Sequence, residues 1–505
     1  MYRTVSQIDS ATNLLSVLFP AVFHRVQLPE SSVEGRPVYA LRMRAGGGGD
    51  RRGVLVVGGT HARELMNPDA IIELAIDLLL AHLNETGITY GGRVWSADDI
   101  KVIVGALDIW LLPCMNPDGR NFVMTADDLW RKNRRVNAGT PCIGVDPNRN
   151  ADIVWGVAQG QTSCSPCADT YCGPSAFSEP EARNVRYLLD TARMVSFVDV
   201  HSFSELVLFP WGHATTQSTD PTQRFTSLPT GTCTASIPSS YHEYMTPRDV
   251  QRFTTVSARI VNDIAAVRGR HYTAEPSINL YPTTGTQGDY AYSRHIADAT
   301  KYKTYGFTFE TGPNTGDTRE SFHPADPTLI KRDAKAAILG LMQQSVCAIE
   351  LINTSVSAVS KLATLRTARD ELLATTAAGR EWIALFERVQ VPLISAVMSD
   401  AKLMQEAADL IGVATQRLAS EASEFSAADA KRAVAVLKKL RKMTRIRAVQ
   451  VDLDATADRI GKLSGKNMRR VIESLMSQRP GSVRKPAKGK KGKRPGRVIR
   501  KEKRR

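Results

Sequence analysis

The sequence predicts a mixed α/β domain, a central β-sheet flanked by helices on both faces, followed by an α-helical carboxyl-terminal module and a basic tail. Three observations carry this. Apolar runs with strand character alternate with helical stretches as far as Leu351. Polar residues collect where those runs end, at His61, His201 and Glu310, and in open α/β sheets that edge is where ligands bind. Around Ile349 to Ser355 the character then changes: glycine becomes scarce, and Ala, Leu, Lys, Arg and Glu dominate to about Met476. The expected organisation is a domain over 1–351, a helical module over 352–480 and a disordered tail over 481–505.

Taken in order, Val5 to Phe19 reads as a helix and Pro37 to Arg44 as a strand, with a glycine-rich surface loop from Ala45 to Asp50. Arg52 to Gly59 is rich in Val and Leu, as a buried strand should be, and sets His61 and Glu64 just past its end. Asn67 as N-cap, Pro68 at the first helical position and Asp69 in the first turn open a helix with an apolar body to Leu83. Ile100 to Leu112 reads as strand throughout and ends in a tight turn, Met115-Asn116-Pro117-Asp118-Gly119. Ser178 and Glu181 have capping-box spacing for a helix to Thr191. Val195 to Val200 and Tyr305 to Phe309 are further buried strands, delivering His201 and Glu310. In the helical module, Ala433, Val436, Leu440 and Met443 recur at helical spacing behind Ser426 and Asp429, while Pro392 is expected to break an earlier helix. There is no internal repeat.

Charge and cysteine narrow the classes. Of the net +15, Arg484 to Arg505 contributes +12 (thirteen Lys or Arg against Glu502), which leaves +3 for the remainder. Basicity is therefore a property of the tail, a candidate contact for an anionic polymer, and its lack of interleaved aromatics argues against base stacking. No apolar stretch is long enough for a transmembrane helix; the richest, Ala70 to Leu83, carries Glu73 and Asp77. The first residues show no secretory signal. Four of the seven cysteines fall between Cys142 and Cys172, which fits either disulfide staples or free thiols, and the spacing does not suit a zinc knuckle. At least one thiol must stay unpaired within the chain.

His61-Ala62-Arg63-Glu64 with His201 offers two imidazoles and one carboxylate, a set that suits zinc and leaves a position for water, the catalytic arrangement. Bound water becomes acidic, with a pKa near roughly 7. A carboxylate such as Glu310 could take its proton and pass it to a leaving amine. Nearby arginines could stabilise an oxyanion or clamp a carboxylate.

From His61 to Glu310 the chain resembles the zinc metallocarboxypeptidases of the carboxypeptidase A type, over roughly Tyr2 to Leu351. The matching segments are His61-Ala62-Arg63-Glu64, Asn116-Pro117-Asp118-Gly119, Trp130-Arg131-Lys132, Asp146-Pro147-Asn148-Arg149-Asn150, His201-Ser202, Tyr281 through Asp289, and Phe307-Thr308-Phe309-Glu310. The resemblance implies a zinc carboxypeptidase-like fold with one Zn2+ on His61, Glu64 and His201, Glu310 as general base and then acid, and Arg131 on the scissile carbonyl. Asn148, Arg149 and Tyr281 would grip a free terminal carboxylate, and Arg63 would meet the substrate backbone. It implies removal of one residue from the carboxyl end of a peptide or protein.

The residues matching the side-chain pocket, Leu208, Gly212, Leu280, Thr283, Gly288 and Thr308, are all uncharged, so bulky apolar or aromatic terminal residues are the expected preference. Phe203 stands where many relatives carry tyrosine. Cys142 and Cys167 match a family disulfide, and Cys164 with Cys172 is a further candidate pair. An insertion spans roughly Thr219 to Pro247 and carries Cys233. The remaining histidines are expected to be structural, with His213 the exception for its nearness to Gly212. Because the resemblance begins almost at Met1, no propeptide is expected; the family and the cysteines suggest an extracellular location while no signal peptide is visible, which leaves localisation open, and a monomer is expected. Two other readings compete: an amidase or cell-wall peptide hydrolase on the same site, and a polyanion-binding scaffold with a relic catalytic domain.

Overall fold

The structure, a computed structural model, describes residues 2–45, 50–231, 233–347, 373–398, 400–418, 424–444 and 447–477. The glycine run at 46–49, the expected boundaries at 351 and 480, and the basic tail lie outside the described residues. The chain divides into two compact units, Met1–Arg366 with Glu387–Thr415, and Thr367–Phe386 with Gln416–Arg505. Among the described residues no helix is long and apolar enough to cross a membrane.

The first unit is built on a mixed eight-stranded sheet. Its centre is four neighbouring parallel strands, Leu107–Leu112, Arg52–Gly58, Met194–His201 and Tyr305–Glu310, so their carboxyl ends share one edge. Antiparallel pairing closes one flank with Tyr39–Met43 and Phe23–Gln27. The other flank is Leu206–Phe209, antiparallel to Tyr305–Glu310, and then Thr273–Pro276. Strand residues point alternately to the two faces. Leu55 and Val57 accordingly share a core with Val185, Leu188 and Ala291 of the helices Pro180–Thr191 and Gln287–Ala297. Helices Met66–Leu83 and Thr328–Ser345 pack against each other and against the central strands. Burying each large apolar side chain in these layers contributes about 1.5–3 kcal/mol.

Several local expectations are corrected. Residues 97–106 are a helix, Ala97–Ala106, started by a Ser96/Asp99 capping box, and the strand begins only at Leu107. An apolar run that short does not tell a buried helix from a strand, and the cap decides it. Met66–Leu83 begins before Asn67, which lies inside the helix, and its N-cap Leu65 makes no side-chain cap bond. The expected turn at 115–119 opens a helix, Pro117–Thr125, with Asn116 as N-cap accepting from Gly119 N. The helix to Thr191 has Glu179, not Ser178, at its N-cap, and the Ser178 hydroxyl instead donates to Glu179 at 2.7 Å.

In the second unit, Ala427–Met443 starts from a Ser426/Asp429 capping box and packs on Arg447–Gly461. It buries Ala433, Val436 and Leu440, while Met443 is exposed. A two-stranded ladder, Glu424–Phe425 with Lys466–Asn467, precedes the helix Met468–Ser477. The helix Ala377–Met398 runs through residue 392 unbroken, since a proline removes one hydrogen bond without obliging the chain to leave the helix.

Candidate active site

The chain leaves the strand Arg52–Gly58 through a tight bend. Gly59 has φ +65°, a conformation that favours glycine, and a Cβ on Gly58 would stand 2.6 Å from Ile71 Cδ1 and 3.2 Å from the Pro113 carbonyl, so the bend is closely packed. The bend is pinned from the neighbouring strand end: Met115 N donates to Gly58 O at 2.9 Å, and Asn116 Nδ2 donates to Thr60 O at 3.3 Å and to Lys132 O at 3.1 Å. His61 and Glu64 follow at once. His201 ends the adjacent strand, and Glu310 is its register partner on the next.

Three donors converge. His61 Nδ1 lies 2.7 Å from Glu64 Oε1, His201 Nδ1 lies 3.1 Å from Glu64 Oε2, and the two Nδ1 atoms are 3.0 Å apart. All three residues are buried, and their ligand atoms fall within 4.8 Å of one another. The outer ring nitrogens face carboxylates: His61 Nε2 is 3.2 Å from Asp146 Oδ1, and His201 Nε2 is 2.8 Å from Asp199 Oδ2. The Asp146 hydrogen bond to His61 Nε2 fixes the tautomer that turns that ring's Nδ1 lone pair inward, and the Asp199 charge beside His201 Nε2 favours the same tautomer there. Two inward lone pairs and a carboxylate repel unless a cation lies among them, and two imidazoles with one carboxylate are the donor chemistry of a catalytic zinc. The residues fit zinc.

The supporting shell is itself held. Thr60 Oγ1 donates to Asp199 Oδ1 at 2.8 Å, and Ser202 N donates to Glu64 Oε2 at 3.1 Å. Arg131 Nε and Nη2 donate to Asp146 Oδ2 at 3.0 and 2.8 Å, and Asn148 N donates to Asp146 Oδ1 at 2.9 Å. Burial would raise the Asp146 carboxyl, but Arg131, His61 and Arg149 hold it well below the usual carboxylate range. Burial pushes the Glu310 carboxyl up to about 8, with His201 acting in the opposite direction.

These groups lie at a cleft lined by His61, Arg131, Asn148, Arg149, Tyr281 and Glu310. Leu208, Leu280, Thr283, Gly288 and Thr308 line the same cleft. The buried Arg149 is oriented by donating to Gln161 O and Asn148 O, both at 2.7 Å, and Asn148 Oδ1 accepts from Gln287 N at 2.9 Å. Glu64 and His201 lie behind His61, outside the lining, and two further expected residues, Arg63 and Gly212, stand outside it too. Arg63 donates to Leu129 O at 3.2 Å, pairs with Asp169 at 3.6 Å and lies over the Phe322 ring at 4.6 Å. Gly212 sits behind the wall, where a Cβ would come 2.5 Å from Thr283 Oγ1. Phe203 packs on Phe322 with ring centroids 4.9 Å apart.

Sequence reasoning assigned no role to Asp146 or Asp199. The signal for Asp199 was legible: an acid two residues before His201, on the same strand face, in an otherwise apolar run. Asn67, expected as a cap, has its Oδ1 accepting from Thr311 Oγ1 at 3.1 Å, next to the strand end that carries Glu310. Cys142 is bonded to Cys167 as the resemblance implied. Cys164 is bonded to Cys233 of the insertion rather than to Cys172, which is buried and free, as is Cys114; Cys347 is also free.

Comparison with known proteins agrees with this geometry. The family described as "Zinc carboxypeptidase" matches residues 8–337. The chain is 28% identical over 311 residues to carboxypeptidase A4 of Mus musculus, covering 61% of this chain and 62% of the relative. It is 35% identical over 219 residues to carboxypeptidase B of Helicoverpa zea, covering 42% and 47%. The match thus spans less than two thirds of these relatives' length. In fold it is similar to thrombin activatable fibrinolysis inhibitor (TM-score 0.54, 21% identity, 68% of this chain and 74% of that one). It is also similar to carboxypeptidase A of Helicoverpa armigera (TM-score 0.51, 24% identity, 68% and 72%).

Proposed function

The chain belongs to the zinc carboxypeptidase family, and from that membership we propose that it removes the carboxyl-terminal residue of peptides or proteins, with a preference for bulky apolar or aromatic residues. The observation that carries this is the convergence of the His61, Glu64 and His201 donors at a cleft lined by His61, Glu310 and the cationic, buried Arg149. A metal centre beside a fixed guanidinium distinguishes a free chain end from an internal bond.

Each residue has work that its surroundings support. His61, Glu64 and His201 would hold zinc, which when bound supplies a Lewis acid for the scissile carbonyl and makes water a better nucleophile. Arg149 and Asn148 bind the terminal carboxylate through charge-assisted hydrogen bonds, and Tyr281 covers it. Glu310 accepts the proton of the attacking water and returns it to the leaving amine. Arg131, fixed by Asp146, faces the charge that develops on the carbonyl oxygen. The terminal side chain enters beside Leu208, Leu280 and Gly288. A Cβ at Gly288 would meet Thr308 Oγ1 at 3.3 Å, so glycine widens the cleft and brings no charge. An apolar side chain buried there contributes about 1.5–3 kcal/mol.

The test is hydrolysis of amino-blocked dipeptides by the wild type and Glu310→Gln, with zinc quantified in both. Cleavage of Phe- or Leu-terminated members by the wild type alone, at equal zinc content, is expected. A zinc-loaded wild type that cleaves no member refutes the activity, and faster release of Lys or Arg than of Phe refutes the preference.

A further inference from the structure

Asp289 is a carboxylate in a cleft otherwise expected to take an apolar side chain. It lines the cleft and is buried, and its Oδ2 accepts the Gly212 N–H at 2.9 Å. The same oxygen lies 3.8 Å from His213 Nδ1. His213 is fully buried beside Trp211, with ring centroids 5.3 Å apart, and its Nε2 is 3.0 Å from Glu243 Oε2. Glu243 is fully buried too, and it also receives the Tyr241 hydroxyl. It lies on His242–Tyr244, a strand of the insertion that pairs in parallel with Thr215–Gln217. The insertion thus sends one acid inward to a histidine whose other nitrogen faces the acid of the cleft.

An unaccompanied carboxylate at this depth would give the cleft a negative wall, which favours a Lys or Arg side chain and makes burial of an apolar one beside it costly. Burial by itself would lower the His213 pKa, but the charge of Asp289 at 3.8 Å and the Glu243 carboxylate at 3.0 Å push it up to about 9, which favours the cationic ring at neutral pH. Its positive charge lies between the two acids and nearer to the cleft than Glu243.

We propose that His213, held by Glu243 of the insertion, is a specificity-determining positioning residue: its charge offsets that of Asp289 and keeps the cleft receptive to apolar terminal side chains. This rests on the carboxypeptidase reading above and names the residues that would set its preference. Neither His213 nor Glu243 touches the substrate. Both act through Asp289.

The experiment measures kcat and KM separately on two blocked dipeptides that differ only in a terminal Phe or Lys. The proteins compared are the wild type, His213→Gln, Glu243→Gln and the double variant His213→Gln/Asp289→Asn, each checked for zinc content and thermal unfolding. In His213→Gln the Lys-to-Phe ratio of kcat/KM should rise about tenfold, mostly through KM, and in Glu243→Gln it should rise in the same direction. Asparagine at 289 can still accept the Gly212 N–H but carries no charge, so the double variant should return toward the wild-type ratio. An unchanged ratio in both single variants, or a double variant that keeps the gain for Lys, overturns the proposal. Glu243→Gln alters charge with little change of shape and carries the test if His213→Gln does not fold. A wild type that prefers Lys refutes the apolar preference instead, a result visible before any variant is read.

Discussion

Asp146→Asn is the sharpest probe of how the candidate metal centre is supported. One buried carboxylate here serves three neighbours: it takes two hydrogen bonds from Arg131 at 3.0 and 2.8 Å, stands 3.2 Å from His61 Nε2, and accepts Asn148 N at 2.9 Å. Asparagine keeps the shape but leaves the Arg131 guanidinium without its charged partner. Breaking a buried pair from one side costs about 3–5 kcal/mol. Losing the carboxylate behind a ligating histidine weakens metal binding about 10- to 100-fold. Urea unfolding and zinc competition against a chelator measure these two effects separately. Asp199→Asn is the matched control, because it removes the carboxylate behind His201 without orphaning an arginine. It should weaken zinc to a similar degree and cost less stability. An Asp146→Asn protein with wild-type zinc affinity would refute the assigned role of the outer carboxylates.

Other consequences can be checked in the same preparations. Glu310→Gln should lower kcat at least about 100-fold with zinc content unchanged, measured by hydrolysis and metal analysis. Asp249 accepts from Tyr292 and Tyr305 hydroxyls and from Lys303 at 2.8, 2.6 and 2.7 Å. Burial would raise its carboxyl, yet Lys303 and the two hydroxyls hold it at about 2. A depressed folded pKa stabilises the fold above the unfolded value near 4, and the gain is lost as pH falls through about 2. Urea midpoints should therefore fall less steeply between pH 4 and pH 2 in Asp249→Asn, a difference of about 2 kcal/mol. The Cys164–Cys233 bond spans 69 residues, so Cys233→Ser should cost about 4 kcal/mol of unfolding free energy, while Cys172→Ser, which breaks no bond, should leave the bridge intact by peptide mapping.

The parts of the site that were legible in the sequence are those whose residue type is itself the chemistry. His61, Glu64, His201 and Glu310 lie at or just past the ends of apolar strands, a placement weak by itself, and the resemblance to the family, which also supplied Arg149, gave them their roles. What escaped depends on contacts made at a distance. Cys233 lies 69 residues from Cys164, and nothing local distinguishes it from Cys172 as the partner. Glu243 acquires a role only once its strand is laid beside Thr215–Gln217. Ser96 and Asp99 show the opposite failure, a local signal present but outweighed by the apolar run that follows it.

His201 and Glu310 face each other as partners in the hydrogen-bonded ladder of two parallel strands. The distance from a proposed metal ligand to the proposed proton carrier is therefore set by the register of the sheet. The segments proposed to meet a substrate, by contrast, include the stretch from Ser277 to Asp289, which lies outside the sheet. Chemistry and address are written in separate parts of the chain, so the address can drift through substitutions at the cleft mouth while the reaction stays calibrated.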